Sequence, residues 1–127
     1  MKKLCAFLII LFASHLFAKS LPKRLTFSPN NCITSGDDNG KIKTLEGVNA
    51  DLLCEVAGNE IKCSQLGGAV ETYDLLVNES GILIVRSKSG NIFFLGDTIK
   101  MTYSMASSHL IPEKMALMTK HCMGKIK

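Results

Sequence analysis

Apolar residues along much of this chain alternate with polar ones, the spacing of a strand that buries one face. In DLLCEVAGNEIKCSQL, residues 51–66, two such runs flank Gly58-Asn59, a pair suited to the positive backbone angles of a two-residue hairpin turn. Counting outward sets Ala57 opposite Glu60, Val56 opposite Ile61, Glu55 opposite Lys62 and Cys54 opposite Cys63. Leu52, Cys54 and Val56 then share a face with Ile61 and Cys63, while Glu55 and Lys62 make an opposite-charge pair on the other.

Four more strands are predicted within 72–104: TYDLLVN, ILIVRS, NIFFL and TIKMTYS. Asn78-Glu79-Ser80-Gly81 and Ser87-Lys88-Ser89-Gly90 each place glycine at the end of a four-residue turn with a bulge, and Gly96-Asp97 supplies a two-residue turn. Connections this short join antiparallel neighbours, because a parallel return needs a crossover of about a dozen residues. Tyr73, Leu75 and Val77 alternate with polar residues, as do Ile99, Met101 and Tyr103, so the outer two strands are read as half-exposed. The unbroken apolar runs 82–85 and 92–95 predict cover on both faces of the middle two.

Residues 112–123 carry a different period. Pro112 suits a first helical position, Gly124 a stop, and Ile111, Met115, Met118 and Cys122 fall at i, i+4, i+7 and i+11, one stripe of a C-terminal helix packed on the sheet. Lys120, His121 and Lys125 would sit at its negative end. Phe27, Ile33, Ile42, Leu45 and Val48 suggest one or two short strands, with Gly36-Asp37-Asp38-Asn39-Gly40 as a turn. The fold expected is mainly β: an antiparallel meander forming a small sheet, sandwich or partly closed barrel, with one C-terminal helix and two disulfides.

The opening eighteen residues, MKKLCAFLIILFASHLFA, change the setting. Lys2 and Lys3 precede an apolar run that ends at Ala18, the order of an export signal, and the short Met-Lys-Lys start suits a bacterial one. The expected organisation is a signal at 1–18, a flexible lead-in at 19–26 and one globular domain at 27–127. No later run approaches the length of a membrane span, so the mature chain is expected to carry no transmembrane segment. A periplasmic or extracellular destination is oxidising, and Cys32, Cys54, Cys63 and Cys122 would form two bridges. The hairpin register pairs Cys54 with Cys63 and leaves Cys32 for Cys122; a one-residue slip would instead pair each hairpin cysteine with a distant one.

Charge and motifs narrow function only slightly. The chain has 15 Lys+Arg against 11 Asp+Glu, too small an excess for a polyanion partner, so nucleic acid is not expected. The basic residues at the two ends leave peripheral envelope contact open. No cysteine spacing matches a zinc knuckle, and no metal or cofactor is expected. Asp37-Asp38-Asn39-Gly40 lacks the closing Glu of a calcium loop. Ser107-Ser108-His109 is read as a polar loop, Gly67-Gly68 as a bend, and the Asn78-Glu79-Ser80 sequon as coincidence. Asp51, Glu55, Glu60, Glu71 and Asp74 show no obvious close pair, and no catalytic residue is assigned. The function expected is an exported binding or inhibitor module for an unknown protein or small ligand. A structural or surface-associated envelope component is the alternative, and a small hydrolase, with His109 or His121 as its starting point, stands behind both.

Overall fold

The computed structural model describes residues 21–38, 41–47, 50–111 and 116–127. The expected export signal, the first residues of the expected lead-in, Asn39-Gly40 of the expected turn, Val48, and Pro112 and Met115 of the expected helix lie outside them. Nine strands are present: β1 (Arg24–Asp38), β2 (Lys41–Gly47), β3 (Leu52–Ala57), β4 (Glu60–Gln65), β5 (Glu71–Glu79), β6 (Ile82–Ser87), β7 (Ile92–Asp97), β8 (Thr102–Ile111) and β9 (Ala116–Ile126). β1 thus begins inside the segment expected as a lead-in.

From β3 to β9 each strand pairs antiparallel with the next, β3 pairs with β1, and β9 returns to β1. Eight strands therefore close a barrel, and the ninth, β2, is an extra strand on the far half of β1. β1 serves three neighbours. Residues 24–27 pair with β3 and residues 32–38 with β2 along one edge, while 27–36 pair with β9 along the other. Its register shifts between Pro29 and Asn31, a bulge where proline, with no N–H to donate, fits a ladder. Opposite Pro29 stands Gly124, where a Cβ would fall on the Ser28 carbonyl oxygen and 2.7 Å from Pro29 Cα. Only glycine lets β9 approach the bulge this closely.

The hairpin register is the one counted from sequence, with Cys54 opposite Cys63 and Val56 opposite Ile61, and Gly58 has φ of 62°. Cys54 is bonded to Cys63 and Cys32 to Cys122, each pair with Cα atoms 4.1 Å apart. This is the short spacing of a non-hydrogen-bonded antiparallel pair.

The C-terminal helix is not there: among the described residues no helix occurs, and 116–126 form β9. Cys122, Gly124 and Ile126 are buried while His121, Met123 and Lys125 are exposed, the two-residue alternation of a strand. A separation of four residues suits either period, so Met118 and Cys122 share a face in both structures; only the odd step in the stripe distinguished a helix. The tertiary context decides. β9 is hydrogen-bonded on both edges, to β8 and β1, and a helix here would leave the facing edges of both neighbours unpaired and the barrel open. Met118 is accordingly 37% exposed instead of packed beneath a helix.

Three other expectations change. The middle strands are not covered on both faces: Leu83 and Val85 point into the barrel, whereas Ile82, Phe93 and Leu95 are exposed outside. Closing a sheet on itself gives every strand one interior face, so no second layer is required. Gly96-Asp97 ends β7 instead of turning it. The turn is 98–101, held by Asp97 Oδ1 accepting from the Ile99 and Lys100 amides at 3.0 and 2.9 Å, so the strand expected from Thr98 begins at Thr102. Ser80 and Gly81, with φ of 53° and 81°, form a two-residue turn in place of the four-residue one.

Eight strands enclose a space that side chains can just fill. Here Leu25, Ile61, Leu83, Val85 and Ile126 fill one end of it, beneath Phe27, Tyr73, Phe94 and Tyr103. The other end is not filled.

Candidate functional site

The aromatic residues form a floor across the barrel. The Phe27 ring lies 4.8 Å from Phe94 and 5.0 Å, edge-on, from Tyr103, while Tyr73 meets Phe94 edge-on at 5.7 Å. These are the offset and T-shaped arrangements that aromatic quadrupoles favour. Above the floor a cavity of about 370 Å³ opens at the end where β3, β5 and β7 begin and β4 and β6 finish. Leu52, Ile92 and Met105 add apolar wall, and Ser64, Gln65, Glu71, Ser107, His109 and Lys120 supply polar lining.

Each polar group is placed by strand alternation. Tyr103, Met105, Ser107 and His109 are every second residue of β8 and line the cavity together. Lys120 lines it from β9, directly opposite Ser107, on the face that carries Cys122 two residues further on. The Cys32 to Cys122 bridge fixes β9 to β1 at that point. Glu71 enters from the first residue of β5 and accepts the Tyr73 hydroxyl at 2.7 Å. Burial first, and then the Glu71 carboxylate, hold the Tyr73 phenol well above its ordinary range. Tyr103 is pushed up to about 12, chiefly by burial, with the negative charge of Asp51 adding to it. Asp51 itself accepts from Ser28 Oγ at 2.5 Å.

His109 Nδ1 meets the Asn91 side-chain amide at 3.1 Å, and Asn91 Oδ1 accepts from Ser87 Oγ at 3.1 Å. Lys120 differs from these groups. Among the described residues it has no ion pair or hydrogen bond from its side chain.

Ser107-Ser108-His109 is not a loop but part of β8, with Ser107 and His109 turned inward. His121 stands opposite Ala106 and Ile33 and is absent from the cavity wall, so the two histidines do not meet. Asp74 and Glu60 do converge, on the outside, where Lys88 Nζ lies 2.5 Å from Asp74 and 3.0 Å from Glu60. The Lys88 ammonium holds the Asp74 carboxyl below its usual range. These are solvated groups, and such exposed pairs are worth little to stability. No cluster of metal-ligating side chains occurs among the described residues.

Sequence reasoning missed Lys120 as a site residue, because the helix stripe assigned it to a solvated helix end. Reading 116–126 with a period of two would have set it on the face of Cys122. In comparisons with family models, with curated proteins and with solved structures, the chain matches none.

Proposed function

We propose that this protein is an exported binding module that takes a small molecule into the open end of the barrel. The observation that carries the reading is the 370 Å³ cavity over an aromatic floor. Its size lies within the range of small-ligand sites, and charged and hydroxyl-bearing side chains converge above the aromatic floor. Two disulfides are consistent with an oxidising, exported location, and no helix of the described residues is long and apolar enough to cross a membrane.

The test is ligand-observed NMR with a set of small apolar-bodied fragments, combined with the methyl signal of Met105, which lines the cavity. Fragments that bind should shift that methyl and should be lost on Ala69→Trp, a substitution at an exposed rim position. Binding that survives Ala69→Trp and leaves Met105 unmoved would place the site elsewhere.

A second reading, a surface-associated envelope component, is favoured by one observation: Ile82 of β6, Phe93 and Leu95 of β7 and Met123 of β9 are exposed on the outside of the barrel. An apolar face of this kind marks association with protein or lipid. Co-sedimentation with vesicles, abolished by Leu95→Lys with Met123→Lys, would support it.

A further inference from the structure

Resting on the mouth as the binding site, we infer that its ligand is an anionic amphiphile: a single carboxylate on an apolar body, of which a medium-chain alkanoate is the simplest case.

The inference comes from the partners that the polar groups already have. Glu71, the carboxylate of the cavity wall, already accepts the Tyr73 hydroxyl on one oxygen at 2.7 Å, and His109 is tied to Asn91 at 3.1 Å. Lys120 lines the same cavity, is half-buried, and has no side-chain partner among the described residues. A half-buried ammonium gains most from an anion that brings its own charge-assisted hydrogen bond into partial shelter from water. A cationic ligand would have to share Glu71 with Tyr73 and sit near Lys120. A neutral one would leave the ammonium as it is.

Position adds a second constraint. Lys120 faces Ser107 across β8 and β9, and Ser107 is buried, so a carboxylate held by the ammonium has a hydroxyl donor beside it. Two residues deeper on β8 is Met105, and two deeper again Tyr103, whose ring packs on Phe27 at 5.0 Å. The order along the wall is therefore cation, hydroxyl, flexible thioether, aromatic floor. That sequence matches a molecule with a charged head outward and an apolar tail inward. The volume limits the tail: at about 30 Å³ per water-sized group, 370 Å³ accommodates about a dozen non-hydrogen atoms. Octanoate, with about ten, fits this limit.

The experiment is calorimetric and NMR titration of the full disulfide-bonded chain with octanoate, octanol and octylamine, repeated on Lys120→Gln and Lys120→Glu. The side chain of Lys120 has no ion pair or hydrogen bond to lose among the described residues, and circular dichroism of each variant checks that the barrel is intact. Octanoate should bind about tenfold more tightly than octanol, the worth of one hydrogen bond to a charged group. Lys120→Gln should remove that advantage, and Lys120→Glu should transfer it to octylamine. Equal binding of all three probes that shift the Met105 methyl, unchanged in both variants, would overturn the anionic class while leaving the mouth as the site. Octanoate binding that depends on Lys120 but leaves Met105 unshifted would overturn the orientation of head and tail. Failure of every probe to perturb any cavity residue would overturn the cavity reading and this inference with it.

Discussion

Gly124→Ala tests how the barrel is closed. Gly124 lies on β9 opposite Pro29 of β1 and Tyr103 of β8. An added Cβ would overlap the Ser28 carbonyl oxygen and lie 2.7 Å from Pro29 Cα and 2.8 Å from the Ser28 carbonyl carbon. All three are backbone atoms of the bulge, so no side chain can rotate aside. Either β1 and β9 separate or the bulge is rebuilt. Overpacking a well-packed site costs about 1–3 kcal/mol, and a rigid obstacle puts this case at or above the upper end, about 3 kcal/mol. Two glycines serve as controls. Gly47 has nothing within 4 Å of its Cβ position and lies outside the positive-φ region, so Gly47→Ala should lie within about 0.5 kcal/mol of the parent or slightly above it. Gly90 is equally open but has φ of 77°, so Gly90→Ala should cost about 1 kcal/mol from backbone strain alone. Urea unfolding followed by far-ultraviolet circular dichroism gives the three midpoints, and with a slope of about 1–3 kcal/mol per molar the Gly124 effect is resolved easily. A Gly124→Ala midpoint equal to that of Gly47→Ala would mean that β9 does not approach the bulge as described, and the closure of the barrel at β1 and β9 would need to be redrawn.

The bridges should differ in strength: the chain-entropy relation gives about 4.6 kcal/mol for the 90-residue separation of Cys32 and Cys122 and about 2.6 kcal/mol for the 9-residue one of Cys54 and Cys63. Paired Cys→Ser variants compared by urea unfolding check the order, and a larger loss at Cys54 and Cys63 would contradict it. Tyr73 and Tyr103 are the chain's two tyrosines, so phenolate absorbance in the native state should stay flat through the ordinary value of 10.0 and rise only towards about 12. Because the unfolded chain loses those protons first, this contribution to stability is complete below 10.0 and falls as pH climbs through the folded value; a native rise centred on 10.0 would show that neither phenol is buried. Leu83→Ala should cost about 2–5 kcal/mol and Leu95→Lys less than about 0.5, since the first is fully buried and the second 56% exposed; similar losses, measured by the same unfolding assay, would restore cover on both faces of the middle strands.

The parts of the fold legible in the sequence were those set by local rules. Gly58-Asn59 specifies its own turn, and the turn fixes the register of every pair from Ala57 and Glu60 to Leu52 and Gln65. What was hidden was set by partners distant in sequence. Ala, Leu, Met and Lys in 116–120 all have strong helix propensity, but β9 takes its conformation from β8 before it and from β1, ninety residues earlier at Cys32. The same distance explains the runs at 82–85 and 92–95. An unbroken apolar strand implies two covered faces only if the sheet has two layers, and whether a meander closes on itself is decided by its ends, β1, where the apolar spacing was loose, and β9, where it read as a helix. The site followed the same division. Glu71 was noted as a carboxylate without a close pair, Tyr73 as an apolar position of its strand and His109 as part of a polar loop, but their convergence needs closure, and Lys120 needed its segment to be a strand.

Closure alone does not make a cavity, since eight strands can be filled by their own side chains. The mismatch of strand lengths does. β3, β4, β6 and β7 have six residues each, whereas β1, β8 and β9 have 15, 10 and 11. Where all eight overlap, Leu25, Ile61, Leu83 and Ile126 are buried in one apolar cluster. Beyond the ends of the short strands only the long wall continues, and it presents Ser107, His109 and Lys120 to a space whose opposite side is the rim at Gln65, Gly68 and Ala69. Side chains on that wall have no core to fill, which is why polar residues replace apolar ones at the inward positions of β8 after Met105. The wall is also held where the load on it would fall, since the Cys32 to Cys122 bridge ties β1 to β9 two residues from Lys120. If the mouth takes the proposed ligand, that ligand meets the charged wall above the aromatic floor, and selectivity should then reside in the head group facing Lys120 more than in the length of what lies beneath it.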